Sequence, residues 1–228
     1  MIVMQNKTCR NVLRWLIPVL GIPALTFIGS WILKGKYYLP VAMLGALLSF
    51  LLFVAGFEKK RTGTRRIVIV SVMTALCFIG RFLPFLKPMT AITIITAIYL
   101  GRESGFLTGA LSALLSNFYF GQGPWTIFQM MTWGLLGWLA GILAEPLKRH
   151  RSLLLVYGVT AGILYSFCMD IWTVLWYAGE FDSTLYASAL VTAIPYTLSY
   201  ILSNLIFLTL LEKPIGEKLE RIRIKYGI

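Results

Sequence analysis

The sequence predicts an all-α, polytopic membrane helix bundle. Of its 228 residues, 58% are hydrophobic and 13% charged, with a mean hydropathy of +0.78. A soluble domain carries about a quarter of its residues as charges, so a chain this apolar has lipid as its solvent. Long apolar runs, each approaching the roughly 20 residues that cross a bilayer, alternate with short basic segments. Those segments are the third observation, because loops rich in Lys and Arg stay on the cytoplasmic side during insertion.

The apolar runs fall at about 12–33, 39–57, 67–86, 89–101, 104–120, 125–147, 153–178 and 184–211. The first has a basic start, but it is too long for a signal-peptide core and lacks a small-residue cleavage pattern, so it reads as a retained helix. The fourth is short for a span and follows Pro84 and Pro88. Prolines end or kink helices, which predicts a tilted or partial helix packed inside the bundle. Eight crossings from a cytoplasmic N-terminus return the C-terminus to the cytoplasm.

The net charge of +12 fits that topology and gives no reason to invoke a nucleic acid. The cations cluster at Lys7–Arg14, Lys59–Arg66, Lys148–Arg151 and Lys213–Lys225, all on the inner face of an eight-crossing bundle. There they set orientation and attract anionic lipid heads. The polar run from Phe57 to Arg66 marks a boundary. It divides an N-terminal two-helix transmembrane extension (1–60) from a six-helix core (61–228), which carries the informative residues.

Glycines step through the core at helical spacing: Gly101, Gly105 and Gly109 with Ala113, then Gly134, Gly137 and Gly141. Such ridges let helix backbones approach closely. Ser71 and Ala75 form another small pair, suited equally to internal packing and to contact with a membrane partner.

Little here supports bond-making chemistry. His150 is the single histidine and lies in a basic turn. HExxH, GxSxG and Walker motifs are absent, as are paired intramembrane carboxylates. Cys9, Cys77 and Cys168 make no CxxC, and neither a metal nor another cofactor is called for. Asp170 is the one acid deep in an apolar run and Arg81 the one base. Charges in such places usually mark function or pair with each other, although Arg81 is near enough to its helix end to snorkel outward.

The outer-face polar set points to solute binding. Asn117, Tyr119, Gln122, Gly123, Trp125 and Gln129 surround one tight loop, and Trp172, Trp176, Tyr177, Glu180 and Asp182 gather at the end of another helix. An interfacial aromatic belt accounts for any one of these rings. It does not account for the interleaved amides and glycines, which suit a pocket of stacked rings and directed hydrogen bonds. Asn117, Tyr119, Gln122, Gly123, Trp125, Gln129, Asp170, Trp172 and Trp176 are therefore the candidate substrate-binding residues.

Thr74-Ala75 with Arg81, the run Lys87-Pro88-Met89-Thr90-Ala91, Gly105-Phe106-Leu107-Thr108-Gly109-Ala110, and Ser116-Asn117-Phe118-Tyr119-Phe120-Gly121-Gln122-Gly123-Pro124-Trp125-Thr126 resemble the S component of energy-coupling-factor (ECF) vitamin transporters. The resemblance covers about 64–212, and the Gly121–Thr126 loop is its most specific part. It implies a subunit that captures a vitamin outside, docks on a transmembrane T component carried by two ATPase subunits, and topples to release the solute inside. It also implies a small-residue docking surface on the first core helix, for which Ser71 and Ala75 are the nearest match. The chain is most similar to cobalamin-associated S components, which makes cobalamin or a related corrinoid the first expectation and riboflavin or another vitamin the alternative. A membrane-embedded enzyme and a purely structural subunit are the other classes.

Overall fold

A computed structural model describes residues 7–33, 37–55 and 60–227; Lys34, Lys36 and the Phe57–Lys59 part of the predicted boundary lie outside the described residues. The described residues form eleven α-helices and one π-helical turn. The chain is an all-α, multi-pass membrane bundle. Among the described residues, three helices are long and apolar enough to cross a membrane by themselves, Thr8–Gly29, Arg151–Ala178 and Ile194–Tyr226. The others are shorter or carry more polar side chains, as interior helices can.

The N-terminal region comprises α1 (Lys7–Leu16), α2 (Ile22–Leu33) and α3 (Tyr38–Ala55), with the π-helical turn Ile17–Gly21 between the first two. Pro18 lies in that turn and Pro23 just after it. Proline supplies no N–H and crowds the preceding turn. The backbone widens there, and the Ile22 N–H reaches the Ile17 carbonyl five residues back, so the helix continues through a π-bulge.

The core follows as α4 (Lys60–Gly80), α5 (Met89–Leu100), α6 (Arg102–Phe120), α7 (Trp125–Ile142), α8 (Ala144–Arg149), α9 (Arg151–Ala178), α10 (Ser183–Thr192) and α11 (Ile194–Tyr226). Helix α5 is twelve residues long, about 18 Å at 1.5 Å per residue. It is buried along its whole length except at Tyr99, encased by α4, α6, α7 and α11. Its threonines and the serines of α6 are tolerated because many of their hydroxyls return to the carbonyl four residues back, as at Thr96, Ser104, Ser112 and Ser116.

Helices α6 and α7 form the centre of the bundle. A Cβ on Gly105 would lie 2.3 Å from Ala97 Cβ and 3.0 Å from the Gly137 carbonyl, and one on Gly137 would lie 2.6 Å from the Gly105 backbone. The two backbones touch here, so glycine is required for space rather than for conformation.

The structure alters several predicted spans. The stretch read as one segment over 184–211 is two helices, because Pro195 occupies the first turn of α11 and cannot donate the bond that would continue α10. Asp182, grouped with the outer-face polar residues in the sequence, caps α10 by accepting from the Thr184 and Leu185 amides at 2.7 and 2.9 Å. Helix α11 then runs for 33 residues, about 50 Å. That exceeds the roughly 30 Å hydrocarbon thickness, so its basic final turns project beyond it. At that end Lys148 of α8 stands over the Tyr99 ring at 4.8 Å. Burial, and then the nearby Arg223 guanidinium, pull its ammonium below the ordinary lysine range.

The N-terminal helices pack against α6 and α7. Trp15 meets Trp138 edge to face at 4.9 Å and Phe27 meets Phe128 at 5.5 Å. Arg14 donates to the buried Glu103 carboxylate at 2.5 Å, and Arg102 reaches the same oxygen at 3.0 Å.

Candidate solute-binding site

The site is assembled where the end of α4, the α6–α7 loop, α9 and α11 converge. Helix α4 stops at Gly80, and the segment from Arg81 to Pro88 turns back over the bundle. Two serines of α11 hold that segment: Ser199 donates to the Phe85 carbonyl at 2.8 Å and Ser203 to the Lys87 carbonyl at 2.7 Å. Arg81 does not snorkel outward. Its Nη1 donates to Ser116 Oγ at 2.5 Å and to Asn117 Oδ1 at 2.6 Å, and its guanidinium covers the Phe120 ring at 5.0 Å. Three donors remain on that group for other acceptors.

Asn117 is fully buried and organises the network. While its carbonyl oxygen accepts from Arg81, its Nδ2 donates to Gln129 Oε1 at 2.8 Å and to Thr126 Oγ1 at 2.9 Å. Gln129 in turn lies against the hydroxyl of Tyr165, which also adjoins Tyr200. Tyr165 stacks on Trp133 at 4.5 Å and meets Tyr200 edge to face at 4.8 Å. Thr90 fixes Trp133 by accepting from Nε1 at 3.0 Å. A polar path thus crosses the bundle from Arg81 through Asn117 and Gln129 to Tyr165 and Tyr200, with flat rings along its far side.

The loop's other residues play different parts. Gly121 has a φ of 106°, a region open to glycine at little cost, and this reverses the chain between α6 and α7. Gln122 spends its amide inside the turn, donating to the Leu114 carbonyl at 3.0 Å and accepting from Thr126 Oγ1 at 2.8 Å. The Trp125 ring folds over Gly123, where a Cβ would lie 2.3 Å from it. It then meets Trp172 at 5.8 Å, and Trp172 stacks on Trp176 at 6.2 Å. This second aromatic group sits at the start of α7 and near the end of α9.

Two predicted residues stand away from these groups. Tyr119 is 67% exposed and packs with Phe82 and Phe120 on the outward side of α6. Asp170 is two residues from Trp172 on α9, about 200° round the helix. It faces the side of Tyr186 on α10 and Tyr200 on α11. No ion pair joins it to Arg81. Sequence reasoning did not select Tyr165, Tyr200 or Trp133, because a Tyr or Trp in an apolar run carries no local sign of burial among polar partners. Tyr165 and Trp172 are seven residues apart on one helix face, which is the signal that was available.

Ser71 and Ala75 occupy an exposed face of α4. They line one wall of an apolar groove of about 450 Å³ whose other walls come from Phe50 and Phe53 of α3 and from Leu107, Leu111 and Leu115 of α6.

This arrangement of fixed amides, a guanidinium and stacked rings suits a membrane-embedded binding subunit. Residues 61–221 match the family described as ECF-type riboflavin transporter, S component, and the chain belongs to that family. No curated protein and no solved structure matches it. As an ECF S component it is a non-catalytic transport subunit that works with a T component and ATPase subunits. The family match overturns the expected kinship with cobalamin-type S components. A lining of amides and aromatics cannot separate a corrin from other flat solutes, since any broad ring with a hydrogen-bonding rim satisfies it.

Proposed function

We propose that this chain is the S component for riboflavin or a close flavin, capturing it from outside and delivering it by docking on the T component. The observation that carries this reading is the path from Arg81 through Asn117 and Gln129 to the Trp133–Tyr165–Tyr200 rings. An isoalloxazine ring has apolar faces and an edge of carbonyls, ring nitrogens and one imide N–H. Stacked aromatics suit the faces, while the free N–H groups of Arg81 and the Gln129 amide suit that edge. The Trp125–Trp172–Trp176 group stands at the entrance.

The remaining assignments follow from this reading. Both termini are cytoplasmic, with the 117–129 and 176–183 regions outside. Ser71 and Ala75 present the face that meets the T component. Residues 1–60 form an added transmembrane hairpin on a 61–228 solute-binding core.

Titration calorimetry of the purified protein with a vitamin panel tests the function. Riboflavin is expected to bind tightly, and Gln129→Ala to weaken it by about ten- to a hundredfold, the equivalent of roughly 1–3 kcal/mol. Tight binding of thiamine or biotin with no response to riboflavin overturns the ligand.

A further inference from the structure

A second cavity lies at the far end of the bundle from the solute network. It has a volume of about 340 Å³ and opens between α4, α8, α11 and the turn from α5 to α6. Arg66 of α4, Lys148 of α8 and Arg223 of α11 line it, with Glu145 the one acid among the lining residues. The three cations belong to three separate basic segments of the sequence, and only the packing of the helices brings them to one cavity. Arg66 precedes Arg81 by about 20 Å along α4 at 1.5 Å per residue, so this pocket and the solute network are distinct. Like charges gathered round a cavity repel unless an anion lies among them.

The nearby acids are engaged elsewhere. Glu145 turns to Arg149 at 4.0 Å and is largely in solvent, Glu217 takes Arg221 at 3.6 Å, and Glu220 Oε1 takes Arg223 at 3.0 Å. Glu212 accepts from the Tyr99 hydroxyl at 2.6 Å. Arg66 is fixed by donating to Ser104 Oγ at 2.9 Å and to the Leu100 carbonyl, and Lys148 rests over the Tyr99 ring at 4.8 Å. The Lys148 ammonium, already disfavoured by burial and by Arg223, gains from any anion placed between them. Position names that anion. Arg66, Gly101 and Lys148 stand where the apolar runs of α4, α5 and α7 end, at the level of the lipid heads. The cavity exceeds ten times the roughly 30 Å³ share of a water molecule, which leaves room for a phosphate with its ester carbons.

We infer that Arg66, Lys148 and Arg223 form a binding site for a phosphate ester, supplied at this depth by the head of an anionic phospholipid. Guanidinium and ammonium groups make strong charge-assisted hydrogen bonds to phosphate oxygens. A zwitterionic head fits less well, because it brings its own cation among three others. One bound phosphate joins α4, α8 and α11, which tightens this end of the bundle. The site does not rest on the flavin reading.

The test is thermal unfolding of the purified protein in detergent, titrated with phosphatidylglycerol, phosphatidylcholine or inorganic phosphate. Phosphatidylglycerol should raise the melting temperature more than phosphatidylcholine does. Lys148→Gln combined with Arg223→Gln should weaken that response by about ten- to a hundredfold in lipid concentration. The charge-keeping pair Lys148→Arg with Arg223→Lys should retain most of it. Lys213→Ala with Lys218→Ala, which removes two exposed cations outside the pocket, should retain all of it. The melting temperature of each variant without ligand reports that it folds. A response to phosphatidylglycerol without one to inorganic phosphate identifies the lipid head. An equal response to inorganic phosphate keeps the phosphate site and overturns lipid as its source. Equal losses in the Lys213 and Lys218 variant would reduce the effect to diffuse attraction and overturn the site. So would the absence of both a preference for phosphatidylglycerol and a response to phosphate.

Discussion

Arg81 Nη1 lies 2.6 Å from Asn117 Oδ1, and this bond fixes which way round the Asn117 amide sits. With its oxygen turned to the guanidinium, its nitrogen is left to serve Gln129 and Thr126. Asn117→Ala should therefore take a partner from three side chains at once, Arg81, Thr126 and Gln129, each unsatisfied group costing about 1–3 kcal/mol. A lower melting temperature in detergent, with weaker solute binding, is the expected result. An unchanged melting temperature would mean that water replaces the amide and that the network is not structural.

The hairpin's attachment gives a second prediction. Glu103 is 2% exposed and takes Arg14 of α1 and Arg102 of α6 on one oxygen. Removing one member of a buried pair typically costs about 3–5 kcal/mol. Glu103→Ala should speed amide exchange across Lys7–Leu33 while α9 and α11 stay protected. Exchange that rises equally everywhere would show that the hairpin does not open separately.

Gly137→Ala addresses the α6–α7 contact. The added methyl group would meet Gly105 backbone atoms at 2.6 Å, and backbone cannot yield as a side-chain tip does. Overpacking of this kind costs about 1–3 kcal/mol, and thermal unfolding should show it. Wild-type stability in this variant would contradict the interlocked backbones.

At the proposed docking face, Ser71→Leu and Ala75→Leu should spare solute affinity and impair ATP-driven uptake. Both side chains are exposed, so the added bulk disturbs a partner's approach rather than the core. Normal uptake by both variants would move the T-component interface elsewhere.

Topology is checked by single cysteines at half-buried Gln122, in the turn before α7, and at exposed Arg149, at the end of α8. Cys9, Cys77 and Cys168 are first replaced. An impermeant thiol reagent applied from outside should label position 122 and leave position 149 untouched. Labelling of both from one side would refute the orientation.

Much of the architecture was legible before folding because lipid imposes a local rule. Each span must be apolar and must satisfy its own backbone, so the helical membrane class and the encased α5 could be read from runs of residues. The family's loop was legible for a similar reason, since Gly121, Gly123 and Pro124 are a turn written into consecutive positions. Local sequence also held the break before α11, in Pro195, although the apolar run concealed it.

The sequence by itself thus determined the solvent, the helical class and the absence of catalytic groupings. Only the tertiary structure decided which polar residues meet. Arg81 and Asn117 are 36 positions apart, Tyr165 and Tyr200 35, and no periodicity within one helix reports such a contact. The same holds for direction: Asp170 and Trp172 are neighbours in the chain yet face different helices, because 100° per residue separates what sequence places together. Composition follows from the solvent, whereas a site follows from which faces the packed helices turn toward one another.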